Sequence, residues 1–123
     1  MSEKYWCVYP SGDVKQVIID RAQLLDQMHE VIGCDCLEQV RTIIPGLCMI
    51  VDESGKIKTP PQEFNAVASM LYWGWLRGND PIVGPVILVS LQPVPPLEEM
   101  DWFPITPFHE LNLKMLFGDD FFD

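Results

Sequence analysis

Apolar and polar positions first alternate in the manner of strands. Tyr5-Trp6-Cys7-Val8-Tyr9 and Val14-Lys15-Gln16-Val17-Ile18-Ile19 are β-prone runs on either side of Pro10-Ser11-Gly12-Asp13, a cluster of turn formers, and predict an N-terminal hairpin. The period then changes. Asp20 can cap a helix whose apolar positions Leu24, Leu25, Met28, Val31 and Ile32 recur at helical spacing, with Gly33 as a left-handed stop. From Cys36 to Ile44 the pattern is mixed, and β-branched residues accumulating toward Thr42-Ile43-Ile44 predict a strand before Pro45-Gly46. Leu47-Cys48-Met49-Ile50-Val51 reads as a buried central strand, Asp52-Glu53-Ser54-Gly55 as a tight turn, and Lys56-Ile57-Lys58 as the return.

After the break at Pro60-Pro61, the positions Phe64, Val67, Ala68, Leu71, Tyr72 and Trp75 fall at steps of three and four. They predict an amphipathic helix from Gln62 to Trp73, ended by Gly78-Asn79-Asp80-Pro81. The run Ile82 to Val89 is apolar throughout, as a strand covered on both faces is, and Pro85 belongs at its start or at an edge. Gln92-Pro93-Val94-Pro95-Pro96 reads as a stiff extended connection. Thr106, with Pro107 at the first helical position, opens a short helix carrying Phe108, Leu111, Met115 and Leu116, which stops at Gly118. The expectation is an α+β fold in one domain: an N-terminal hairpin and a mostly antiparallel or mixed sheet of about five strands, packed by two helices, with a short C-terminal helix or tail. Residues 1–96 form the expected core, and 97–123 an acidic, aromatic extension packed on it or projecting from it.

Size and charge narrow the function classes. A chain of 123 residues fits one domain and buries enough surface to fold without disulfide or metal staples. Its formal net charge of -10, from 18 acidic against 8 basic residues, repels phosphate backbones, so direct nucleic-acid binding is not expected. Glu98, Glu99, Asp101, Glu110, Asp119, Asp120 and Asp123 stand against Lys114 alone in the last segment, which is therefore the acidic end. Cys7, Cys34, Cys36 and Cys48 follow an N-terminus with no apolar signal segment, and reduced thiols in a cytoplasmic setting are the expectation. No apolar run approaches the ~18 residues that cross a bilayer, and no membrane role is expected.

The helix ending Val31-Ile32-Gly33, the stretch Pro45-Gly46-Leu47-Cys48-Met49-Ile50-Val51-Asp52-Glu53-Ser54-Gly55-Lys56, the Pro60-Pro61 and Asn65 segment, and Asp80-Pro81-Ile82-Val83-Gly84-Pro85-Val86-Ile87-Leu88-Val89 share an order and spacing. Together they resemble the domain-of-unknown-function family "three-eight-four-six". The resemblance covers about residues 17 to 90. It implies an accessory protein of a bacteriophage, plasmid or integrated element and an approximate fold, and no assigned catalytic residue comes with it. From about Asp101 onward the chain departs from the family pattern, being richer in aromatic residues and proline.

Catalytic chemistry is poorly supplied. His29 and His109 are the only histidines; pairing His29 with Cys34 or Cys36 matches no nucleophile signature, and Cys34-Asp35-Cys36 is too tightly spaced for a zinc knuckle. Gly84-Pro85 precedes a strand, so no phosphate-cradling loop is read. No enzyme activity, cofactor or metal is expected. Two constellations suit recognition. Trp73, Trp75 and Arg77 combine rings with a guanidinium, which either close the core or stack a flat ligand or anchor a protein. Glu98, Glu99, Asp101, Trp102 and Phe103, with Phe108, Phe117, Phe121 and Phe122, make an acidic and aromatic segment that docks either on its own domain or on another chain.

The reading is a non-catalytic, stoichiometric binder of a host protein or protein complex, counter-defence included. A homo-oligomeric sponge for a nucleotide-like small molecule is the first alternative. A DNA mimic that occupies a basic groove is the second, and a homodimer is compatible with each.

Overall fold

The alternating run Ser2–Val8 forms β1, and the turn after it returns the chain as β2 (Val14–Asp20), paired antiparallel from Ser2 opposite Asp20 to Val8 opposite Val14. The computed structural model describes residues 2–34, 36–55, 62–72, 81–96 and 99–122. Asp20 caps a 3-10 turn (Arg21–Gln23), its carboxylate accepting the Ala22 amide at 3.1 Å, and α1 then runs Leu24–Ile32. Gly33 ends α1 at φ 76°, a conformation that suits a residue without Cβ. The remaining elements are β3 (Leu37–Arg41), β4 (Leu47–Asp52), α2 (Ala66–Leu71), β5 (Val86–Val94), β6 (Glu99–Phe103) and α3 (Pro107–Phe117).

The six strands make one antiparallel sheet in the order β2-β1-β5-β4-β3, with β6 also pairing β5. Leu88 of β5 lies between Trp6 of β1 and Met49 of β4, whereas Ser90 lies between Phe103 of β6 and Leu47 of β4. β1 and β6 therefore occupy the same side of β5, and β6 takes up the pairing where β1 turns away.

Period-two burial then sorts the core into two layers. Val8, Leu47, Met49, Val51, Val86 and Leu88 face Ala68 and Leu71 of α2 and Leu113 of α3. Tyr5, Cys7, Cys48, Ile50, Ile87 and Val89 face Met28 and Ile32 of α1. Fully burying one such large apolar side chain contributes about 1.5–3 kcal/mol, so both faces of β4 and β5 are needed.

Buried polar groups close the ends of the elements. Asn65, fully buried, caps α2 by accepting the Ala68 amide and donates through Nδ2 to the carbonyls of Val8 (3.0 Å) and Gly84 (2.9 Å). Ser69 donates to the Ile82 carbonyl and accepts the Ile82 amide, fastening the entry to β5 against α2.

The α+β class, the hairpin and the C-terminal helix agree with expectation; five details differ, the first being that the strand read from Ile82 begins only at Val86, after Gly84-Pro85. Thr42-Ile43-Ile44 lies beyond the strand: β3 is Leu37–Arg41, and Thr42 makes an isolated bridge to Tyr72. α2 is shorter than Gln62 to Trp73, because Asn65 caps it and Tyr72 leaves it in an extended conformation to reach Thr42. The connection read at Gln92-Pro96 belongs in part to β5, which continues through Pro93 to Val94, since pairing to β4 ends at Ser90 and leaves that side of β5 tolerant of a missing donor. A sixth strand, β6, was not expected at all. The return at Lys56-Ile57-Lys58 lies outside the described residues.

Candidate functional site

Where β1 and β6 diverge beside β5, Arg21 fills the fork. Its Nε donates to Glu3 Oε1 at 2.8 Å, Nη1 to Asp101 Oδ2 at 3.1 Å, and Nη2 to the Tyr5 hydroxyl at 3.2 Å and to the Trp102 carbonyl. The guanidinium carbon lies 4.4 Å from the centre of the Phe103 ring. Tyr5 donates in turn to Glu3 at 3.0 Å, and burial together with that carboxylate raises its phenol pKa well above the ordinary value. Asp101, Trp102 and Phe103 are thus brought together, but toward their own core. Trp102 also donates through Nε1 to Gln39 Oε1 at 2.6 Å and packs on the α1-side layer. With Arg21 about a third exposed, each ion pair contributes at most about 1 kcal/mol, so the cluster orients β6 more than it stabilises it.

The chain beyond α3 folds back in the same way. Phe122 packs at a tilt against Trp6, ring centres 4.8 Å apart, Phe121 meets Phe122 edge-on at 4.9 Å, and Phe117 stacks on Phe121 at 5.2 Å. Lys114 sits 6.0 Å over the Phe122 ring. These rings pack on the α2 and α3 side of the core.

α3 itself begins as its sequence dictates, with Thr106 as cap and Pro107 in the first turn. Its inner face is Leu113, fully buried, and His109, 4% exposed. His109 accepts the Thr106 amide at Nδ1 (3.3 Å) and donates through Nε2 to the Pro45 carbonyl (3.0 Å). Gly46 beside it has φ 77°, a conformation that suits a residue without Cβ, and brings its backbone close to the His109 ring. Burial lowers the His109 pKa, so the ring is neutral with both nitrogens engaged.

The opposite face is the unexpected feature. At 100° per residue, Phe108, Leu111 and Met115 fall within about 60° of one another, directly away from Leu113, with Leu116 on the flank. They are 54%, 59%, 75% and 52% exposed respectively. The sequence named all four as apolar positions of the helix, but α3 is apolar on both faces, and periodicity does not distinguish the side that meets the core.

A shallow depression of about 360 Å³ beside α1 is lined by His29, Glu30, Gly33, Cys34, Cys36, Asp52 and Ser54. It gathers the residues weighed for thiol or metal chemistry. His29 Nδ1 is held by the Cys34 carbonyl at 2.9 Å, and the Asp52 carboxylate accepts from the Ser54 amide (2.9 Å) and the Gln62 side chain (3.0 Å). Cys34 is buried and Cys36 exposed. Among the described residues no group of three or more His, Cys, Asp or Glu side chains is arranged to hold a metal ion. Burial pushes the Cys7 thiol up to about 11 and raises that of Cys48, which keeps both protonated and poorly nucleophilic at neutral pH.

Of the residues expected to bind, Trp73, Trp75, Arg77 and Glu98 lie outside the described residues. Glu99 is exposed on β6, opposite Val94 in the register, and Met100 beside it is 52% exposed. No described helix is long and apolar enough to cross a membrane.

Neither the curated proteins nor the solved structures contain a match to the chain. A family model, described as a domain of unknown function, matches residues 6–94, from β1 through the last residue of β5. β6 and α3 lie beyond that segment and complete its sheet and core. The match spans well over half of the sequence, and the chain belongs to the domain-of-unknown-function family DUF3846.

Proposed function

We propose that the protein is a non-catalytic accessory factor of a phage or mobile element that binds a host protein or protein complex stoichiometrically, counter-defence being the role this suits best. The mobile-element setting comes from the family resemblance. The observation that carries the binding role is the outward apolar stripe of Phe108, Leu111 and Met115, with Leu116 exposed on its flank, set in the most acidic stretch of the chain. Monomeric proteins seldom leave several large apolar side chains adjacent and exposed without using them. The binding surface then differs from the one first expected. Asp101, Trp102 and Phe103 serve the Arg21 cluster, which leaves Glu99, Met100 and the outer face of α3 to meet the partner.

The test is recovery of a complex from host extract with the tagged full-length chain, followed by titration of the purified partner and analysis of any small molecule released on heating. A complex of fixed molar ratio that weakens as salt rises supports the proposal. Release of a nucleotide-like compound with no protein partner identifies a sponge and overturns it, as does turnover of a host component.

A further inference from the structure

We infer that the partner of the α3 outer face is a basic amphipathic helix. The inference rests on the protein-binding reading above and specifies the chemistry of what is bound. The shape of the surface comes first. A helix spends its own backbone groups internally, so α3 offers side chains but no free N–H or C=O along Glu110–Lys114. A second helix satisfies its own backbone groups and can lay a whole apolar face on that stripe, whereas an extended peptide finds no backbone partner there. The stripe covers two turns, and leucine and methionine side chains accept the ridges of another helix readily.

The chain's own tail is not the occupant. Phe117, Phe121 and Phe122 turn back onto Trp6 on the inner side, and Phe108, Leu111 and Met115, with Leu116 on the flank, remain at least half exposed.

Charge then selects the partner. Residues 97–123 carry seven acidic residues and one basic residue, and that residue, Lys114, lies over the Phe122 ring. Asp119 and Asp120 are exposed just past the C-terminal end of α3, where the helix dipole is also negative. Asp101 is taken by Arg21, which leaves Asp119 and Asp120 as the acidic rim at the C-terminal end of the stripe. A second copy of this chain brings the same rim and a net charge of -10, so like charges oppose self-pairing. A helix with leucine-like residues on one face and lysine or arginine on its flanks matches both features, with its cations concentrated toward the Asp119 and Asp120 end.

The experiment uses the full-length chain and a fluorescent synthetic peptide of about 18 residues, long enough to span the helix, built from lysine and leucine in an amphipathic pattern. A scrambled peptide of the same composition and a glutamate and leucine version serve as comparators. The lysine and leucine helix is expected to bind at least about tenfold more tightly than either, and Leu111→Asp or Met115→Asp to weaken it by about tenfold or more. Ile18→Asp, at an exposed apolar position on β2, is expected to change binding by less than about twofold. Equal binding of the scrambled or the acidic peptide, or indifference to both α3 substitutions, overturns the inference. So does a dimer in sedimentation that Leu111→Asp dissociates, since a second copy then covers the stripe. A host complex unaffected by Leu111→Asp leaves the protein-binding function standing while this inference falls. Selective peptide binding with no host protein complex does the reverse.

Discussion

His109 donates through Nε2 to the Pro45 carbonyl, and by that contact one neutral ring ties α3 to the turn between β3 and β4. The fold should therefore respond to pH near neutrality. Burial holds the folded pKa below the ordinary 6.5, so the unfolded chain takes up the proton first as pH falls. The contribution is complete above about 6.5 and declines below it, by at most about 1.4 kcal/mol per pH unit, until the folded ring titrates. His109→Ala should lose about 2–3 kcal/mol at pH 7.5, because the Thr106 amide and the Pro45 carbonyl lose their partner. Urea unfolding of both proteins between pH 7.5 and 5.5 checks this, and an unchanged slope in the variant refutes it.

Asn65 joins the cap of α2, the end of β1 and the entry to β5, all without contact with water. Asn65→Ala should cost about 3 kcal/mol or more, since one amide and two buried carbonyls are orphaned together. Asn65→Asp keeps the cap but sets a carboxylate against two carbonyl oxygens, and it should be no better. Equilibrium denaturation decides the matter; a loss below 1 kcal/mol, about the worth of one ordinary hydrogen bond, contradicts the assignment.

Arg21→Lys retains the charge and gives up the planar fork and the stacking on Phe103. Global stability should fall by only about 1 kcal/mol, as expected for a partly exposed cluster. The sensitive readout is local: amide exchange should accelerate on β6 and the facing part of β5 while β3 and β4 remain protected. Uniform acceleration across the sheet would show that Arg21 does not act on β6 in particular.

The two faces of α3 should respond in opposite ways. Leu113→Ala removes a fully buried side chain and should cost about 2–5 kcal/mol. Met115→Asp, two residues away and 75% exposed, should change stability by less than about 0.5 kcal/mol. Thermal melts of the pair establish the rotation of the helix, and a large loss for Met115→Asp means the stripe is covered.

The elements legible in the sequence are those with local determinants. The β1–β2 turn, the Asp20 and Thr106 caps, Gly33 at the end of α1 and the apolar run of β4 each carry their signal within a few residues. β6 carries none: Glu99-Met100-Asp101-Trp102-Phe103 is a strand because Ser90–Val94 lacks a neighbour on the side that β1 has left. α2 looked longer because Phe64 and Tyr72 keep helical spacing, although their backbones bridge to Val83 and Thr42. The composition of the last segment was legible, but the direction of its rings was not. Acidic and aromatic residues do gather in the last segment, yet the rings of Trp102, Phe103, Phe121 and Phe122 turn inward through contacts with Arg21 and Trp6, distant in sequence. Helical periodicity could not choose between two apolar faces of α3; the choice is made by Leu113 and His109 fitting against the sheet and the Pro45-Gly46 turn.

Because β1 and β6 line the same flank of β5, a chain cut after Pro96 keeps every family-matched residue yet bares the backbone of Ser90–Val94 as a raw strand end. Such a stub invites edge-to-edge stacking between copies. The extension is thus a plug as well as a platform, and the two roles are inseparable by truncation. Separating them requires point changes on the outer surface of α3, where the plug stays seated while the platform is altered.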